Sequence, residues 1–298
     1  MRLPLVLLLV FAAAAVPAQP PRTEVVILGT GTPNADPERS GPALAVVRGG
    51  DAYLIDAGPG IVRRAAAAAN AGVAALAPAN LRTLFLTHLH SDHTIGLPDV
   101  ILSPWVLERA VPLKVYGPPG TKAMVGHLLA AYDADIRNRI DGAEPANRSG
   151  WQVEVTEVTP GVIHRDSNVV VEAFAVPHGD WAQAFGYTFT APDRRIVISG
   201  DTRASDAVVA ACNGCDLLLH EVYSAERFTT RPPEWQAYHA WAHTSTTELA
   251  ALAMRARPGQ LVLYHQLYWG TTDDALIAEV QRAGYTGRVV SARDLQRY

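Results

Sequence analysis

Cysteine is almost missing from this chain, with two in 298 residues. Cys212 and Cys215 stand alone, spaced C-x-x-C, so no second pair completes a zinc knuckle. They lie between a helix-like run and the strand-like CDLLLH, away from the setting of a thioredoxin-type motif, and read as a local disulfide or as incidental. No run of Lys or Arg occurs and the formal net charge is −4, which argues against a surface for duplex nucleic acid. No short-period repeat is present. The apolar opening run is shorter than the ~20 residues a spanning helix needs, which reads against a membrane anchor there.

What is present is apolar content of 49%, enough for a sizeable core in one large two-layer domain or two small ones. The first residues, MRLPLVLLLVFAAAAVPAQP, have the layout of a secretory signal peptide. Arg2 gives a positive start, Leu3 to Val16 an apolar run, and Val16-Pro17-Ala18 small residues for cleavage. The expectation is a leader over 1–18 and one domain over 19–298, periplasmic or secreted. With no Cys after the run, the lipoprotein route is closed.

Beyond the leader, TEVVILGT, ALAVVR and AYLIDAG read as strands, and IVRRAAAAANAGVAAL as a helix. RTLFLTH is a short buried strand, followed by helix-like PDVILSPWVLERA, the strand LKVYG and a helix from Thr121 to about Ile140. The turn-rich DGAEPANRSG marks a midpoint. After it come four strands, WQVEVTEV, NVVVEAFAVP, FGYTFT and RRIVISG. A helix near ASDAVVAAC, the strand DLLLHE, a loop, the helix STTELAALAMRA, the strand QLVLYH, a helix near DDALIAEVQRAG and the strand RVVSA complete the order.

The chemistry concentrates in THLHSDH, where His88, His90, Asp92 and His93 follow an apolar strand. A strand entering a turn projects alternate side chains, so His88 and His90 can face one metal together. Asp92 and His93, one step around the turn, can face a second. Neutral imidazoles and carboxylates suit zinc, and also manganese or iron. A polar loop is the bland alternative, and four ligands at this spacing weigh against it. Other apolar runs also end in ligand-type residues: VEAFAVPH in His178, RRIVISGD in Asp201 and LVLYH in His265.

THLHSDH followed by VPH, SGDT and a strand-terminal His resembles the metallo-β-lactamase superfamily. LGTGTPNADPERSGPALAV, YLIDAGPG, LLLHE, AHTSTTELAALA and LVLYH make the chain most similar to its ribonuclease Z and arylsulfatase-like branch. The resemblance runs from Thr23 to the C-terminus and implies a four-layer αββα sandwich with a two-metal site. Carried over by position, it implies His88, His90 and His178 on the first metal, Asp92, His93 and His265 on the second, and Asp201 between them. Two metals about 3.5–4 Å apart can share a hydroxide able to attack an electrophilic phosphorus, sulfur or carbonyl carbon. It implies for His243 a catalytic role at the substrate oxyanion or leaving oxygen. His243 stands just before Ser245-Thr246-Thr247-Glu248, a capping box whose helix end favours negative charge. Asp92 is also placed to orient the nucleophilic water. His220 reads as a supporting residue, and His127, His164 and His239 as surface histidines.

Three departures argue against transfer RNA as substrate. The interval from His178 to Asp201 has room for a hairpin but not for the protruding arm of the transfer-RNA enzymes. Gln266-Leu267-Tyr268 replaces their Ser-Arg-Tyr run, and an exported protein does not meet precursor transfer RNA. Between Glu221 and His243 lie Tyr223, Phe228, Trp235, Tyr238 and Trp241, although aromatics are only 7% of the chain. They either wall a pocket for an aryl group or pack the loop down. The expectation is an exported two-metal hydrolase of small phosphodiesters or sulfate esters, with a β-lactam or lactone hydrolase and a non-catalytic metal scaffold as alternatives. A small-molecule ester is its partner, and a homodimer is compatible with the sequence.

Overall fold

The computed structural model describes residues 21–298, so the expected leader lies outside the described residues. Two sheets divide the chain almost in sequence order. The first holds β1 (Thr23–Gly29), β2 (Ala43–Arg48), β3 (Asp51–Ile55), β4 (Thr83–Phe85), β5 (Leu113–Gly117) and β6 (Val153–Glu157), side by side in that order. The second holds β7 (Gly161–Arg165), β8 (Val170–Val176), β9 (Ala184–Thr190), β10 (Arg195–Ile198), β11 (Leu217–Tyr223), β12 (Gln260–Leu267) and β13 (Val289–Ser291). In each sheet the hairpin-linked strands run antiparallel, and strands separated by helices run parallel.

Strands such as β1, β2 and β11 are buried on both faces, as the two-residue period of a strand allows. In β1, Val25 and Ile27 enter the layer between the sheets, where they join Phe85, Tyr187 and Phe189. Val26 and Leu28 point the other way. There they meet α1 (Ile61–Asn70), α3 (Leu97–Val106) and α4 (Thr121–Ala131), α2 (Ser91–Thr94) being the short turn before α3. α5 (Asp133–Asp141) follows α4. The outer face of the second sheet carries α6 (Asp206–Cys212), α9 (Thr246–Ala256) and α10 (Asp273–Arg282), packed through Val208, Leu249 and Leu276. Helix, sheet, sheet, helix is the αββα sandwich expected. Among the described residues no helix is long and apolar enough to cross a membrane.

Some boundaries differ from the sequence reading. The chain changes sheets after β6, not at DGAEPANRSG, so WQVEVTEV pairs with β5 rather than with the second half. β7 went unread because Gly161 opens it and its side chains are only partly buried. The expected helix from Thr121 is two helices, broken at Tyr132. The expected loop after Glu221 contains α7 (Ala225–Phe228) and α8 (Pro233–Ala242). Cys212 and Cys215 are disulfide-bonded across a turn in which Asn213 and Gly214 both take positive φ.

One buried cation holds the first half together. Pro104 lies inside α3 and has no N–H to offer the carbonyl of Val100. The Arg109 guanidinium, fully buried, donates to Val100 O at 2.8 Å instead. It also donates to the carbonyls of Ile101, Leu81 and Gly150. Burial pulls its pKa down to about 10, so it remains charged at neutral pH. Arg109→Met would leave these carbonyls without a donor and should lower the unfolding free energy by about 3 kcal/mol or more. Urea denaturation measures this; a loss under about 1 kcal/mol would contradict the role.

Candidate metal centre

Strands of both sheets, helix α2 and the end of α8 bring the expected site residues together. β4 runs into Thr87, His88, Leu89 and His90, and α2 turns Asp92 and His93 inward. β8 ends two residues before His178, and β10 three residues before Asp201. Gly200 makes that last approach at φ +61, where a Cβ would sit 2.6 Å from the carbonyl oxygen of Phe185. His265 is aimed by a bulge. Tyr264 pairs with Glu221 and Gln266 with Val222, which leaves His265 as the extra residue of β12, at φ 48.

Two groups of donor atoms result. His90 Nδ1 lies 3.0 Å from His88 Nε2 and 3.1 Å from His178 Nε2. Asp92 Oδ2 lies 3.3 Å from His265 Nε2 and 3.5 Å from His93 Nε2. Asp201 stands between them: its Oδ2 is 3.4 Å from both His93 Nε2 and His265 Nε2. It also has a carboxylate oxygen within 4.8 Å of donor atoms of His88 and His178. His243 belongs to the same neighbourhood, grouped with His178 and Asp201 on one side and with Glu221 and His265 on the other.

The residues fit divalent cations. His93 Nε2 and Asp201 Oδ1 are buried without a hydrogen-bond partner, although both point among ligand-type groups. Burial holds the imidazole of His88 well below its ordinary pKa, and brings His90 and His178 down to about 4. These three are therefore neutral, the form that coordinates a metal. For Asp201, burial acts upward, but His265, His93 and His88 outweigh it and hold the carboxyl well below the usual range. For His93, burial acts downward, and Asp201 with Asp56 overcomes it to push the imidazole well up.

A ring of supporting residues fixes these side chains, as ligating histidines require. Asp56, at φ 60 after β3, accepts from the Thr87 N–H at 2.8 Å and lies 2.8 Å from His93 Nδ1. Thr87 Oγ1 is 2.9 Å from His88 Nδ1, and the Ala242 carbonyl oxygen is 2.8 Å from His178 Nδ1. Glu221 Oε1 accepts from the Thr202 and Thr244 N–H groups and lies 3.3 Å from His243 Nδ1. Asp56 and Glu221 were given no role from the sequence. Both follow an apolar run, as Asp201 does. His220 is fully buried beneath the site, its Nδ1 2.7 Å from the Glu221 carbonyl oxygen.

The helix that starts beside His243 carries the capping box expected from the sequence. Glu248 Oε2 accepts from the Ser245 N–H, and Ser245 Oγ accepts from the Glu248 N–H. The Thr244 N–H is held by Glu221. What remains for a substrate is the imidazole, whose Nδ1 faces Glu221 and whose other nitrogen is left for the cleft.

That cleft, about 610 Å³, is lined on one side by His90, Asp92, Asp201, His243 and His265, and on the other by Arg231, Trp235, Tyr238, His239 and Trp269. The five expected aromatics divide. Trp235 and Tyr238 line the cleft. Tyr223 is buried and stacks on Phe228 at 5.2 Å, so these two pack the loop down. Trp241 lies under the Arg203 guanidinium. Trp181 and Trp269 went unnoticed; Trp181 Nε1 donates to His90 Nε2 at 2.7 Å. His127 is exposed as expected. His239 is not a surface residue: α8 turns it inward, one helical turn before His243, and buries it. His164 is also largely covered, between Tyr116 and Asp166 on β7.

A family model described as the Beta-lactamase superfamily domain matches residues 52–266. Ribonuclease Z of Mycobacterium sp. strain KMS is 36% identical over 271 residues, covering 90% of this chain and 90% of that protein. Ribonuclease Z of Mycobacterium bovis BCG Pasteur is 34% identical over 279 residues, covering 92% and 97%. Among solved structures, the metallo-β-lactamase fold protein YhfI from Bacillus subtilis aligns with a TM-score of 0.70 at 16% identity, over 93% of this chain and 99% of that one. Human tRNase Z, short form, aligns at 0.66 and 22% identity, over 92% and 98%. The two structural likenesses speak for the fold; the family model and the sequence relatives go further. The chain belongs to the β-lactamase superfamily, in its ribonuclease Z-like branch, and is a metal-dependent hydrolase.

Proposed function

We propose that this protein hydrolyses small phosphodiesters at a two-metal centre, and that it does so outside the cytoplasm. The observation that carries this reading is the pair of donor triads joined by Asp201, with His243 braced beside them in the same cleft. His88, His90 and His178 would hold one ion, Asp92, His93 and His265 the other, and Asp201 both. Zinc suits this donor set, and manganese or iron are alternatives. Such ions supply charge to stabilise a developing oxyanion and to activate water.

The chain's own residues do the rest. Asp56 and Thr87 keep His93 and His88 in the rotamers that face the other ligand-type residues. Asp92, at the cleft wall, is placed to orient the attacking water. The Glu221 carboxyl lies 3.3 Å behind His243 Nδ1, which leaves the second ring nitrogen to hydrogen-bond a phosphoryl oxygen or the departing oxygen. Leu267, Tyr238 and the two tryptophans of the cleft offer an apolar wall opposite the metal ligands.

The sequence relatives are named Ribonuclease Z, which makes a larger RNA the second reading. Against it, the interval between His178 and Asp201 is taken up by β9 and β10 with short connections, so no arm is available to grip a large RNA. The export reading of residues 1–18 points the same way.

Zinc- or manganese-loaded protein should release p-nitrophenol from bis(p-nitrophenyl) phosphate and leave a precursor transfer RNA transcript uncut. His243→Ala should lower kcat by about 100-fold or more with metal content retained. Cleavage of the transcript would favour the second reading; no turnover of the diester would turn the search to aryl sulfates, lactams and lactones. Metal stoichiometry is a separate check. Elemental analysis of the wild type should find two ions per chain, and Asp201→Ala should keep at most one. Two tightly held ions in that variant would remove Asp201 from the shared position.

A further inference from the structure

We propose that Arg231, on its platform of aromatic rings, forms a subsite for a second anion carried by the substrate beyond the scissile phosphate. The inference rests on the phosphodiester reading and narrows it to diesters with a negatively charged aryl substituent.

Arg231 is unusual among the arginines of this face. Arg39 is paired with Asp273, Arg282 with Glu226, and Arg227 donates to the Gly270 carbonyl. Among the described residues Arg231 has no ion-pair partner and no side-chain hydrogen bond, and its Nε is buried without an acceptor. A guanidinium presents its N–H donors in a flat fork matched to a carboxylate or phosphate, and a buried Nε without an acceptor is costly. The group is nevertheless held in place, 5.4 Å from the ring centroid of Trp269. It lines the same cleft as Asp201 and His243.

The platform is continuous. The Trp269 and His239 ring centroids are 4.7 Å apart, and His239 stacks on Trp235 at 5.7 Å with 26° between planes. Trp235 keeps 49% of its surface exposed, a large apolar area left open at the cleft. A ring lying on this shelf with an anionic group at its far end would satisfy both features. Glu234 lies on the same wall and would repel a string of charges, which favours a compact ligand with one remote anion over a polyanionic strand. The cleft of about 610 Å³ has the volume of a small-molecule site.

The test uses diesters that share a p-nitrophenolate leaving group: phenyl, 4-carboxyphenyl and 4-phosphonophenyl p-nitrophenyl phosphate. In the wild type, KM for the charged esters should be about tenfold lower than for the phenyl ester, as for one charge-assisted hydrogen-bonded contact. Arg231→Gln should abolish that ratio, and Arg231→Lys should return part of it. The ratio is taken within each variant, so a general loss of stability or activity cancels. Whether carboxylate or phosphonate is preferred identifies the anion. Equal KM values in the wild type, or the same ratio in Arg231→Gln, would overturn the subsite. If no diester is turned over, the phosphodiester reading fails separately. Calorimetric binding of 4-carboxyphenylphosphonate against phenylphosphonate, in wild type and Arg231→Gln, then still decides the subsite.

Discussion

Crowding several imidazoles and two carboxylates into a dry seam is the constraint on which this molecule depends. His88, His93, His178, Asp201, His243 and His265 are all almost completely buried. A buried polar atom without a partner costs roughly 1–3 kcal/mol, and an unpaired charge more. The nitrogens and oxygens of this cluster face one another at 3.0–3.5 Å instead of being separated by apolar packing. Such an arrangement is stable only if the surrounding fold holds it rigidly and a cation can enter it. Both conditions organise the rest of the structure.

Rigidity comes from placing the ligand-type residues on or after strands of the two sheets, with Asp92 and His93 on α2, and bracing them from behind. Asp56, Thr87, Glu221 and the Ala242 carbonyl each touch a site histidine while being anchored by backbone. Some of the chain's local backbone strain lies at these same positions. Asp56 and His265 are non-glycine residues at positive φ, and Gly200 sits where a side chain would collide with its neighbour. Arg109 performs a similar service farther away, where it answers the carbonyl orphaned by Pro104 and fixes α3 behind the THLHSDH turn.

Much of this was legible in the sequence because the signals are local. An apolar run ending in His or Asp is a strand delivering a polar residue to a sheet edge, and it identified His88, His178, Asp201 and His265. The same rule extends to Asp56 in YLIDAG and Glu221 in LLLHE. Features that depend on distant partners were not legible. Helix α8 was hidden behind Pro232 and Pro233, and so was the inward turn of His239. Arg231 and Trp269 are 38 residues apart and meet only in the folded chain. β7 has little apolar character because its outer side is partly exposed.

The central claim is that two triads converge with Asp201 between them. Anomalous diffraction at the zinc absorption edge from metal-loaded crystals tests it most directly. The account predicts two peaks in the cleft, one among His88, His90 and His178, the other among Asp92, His93 and His265, each in contact with Asp201. A single peak, or one ligated by His243 in place of these residues, would contradict it.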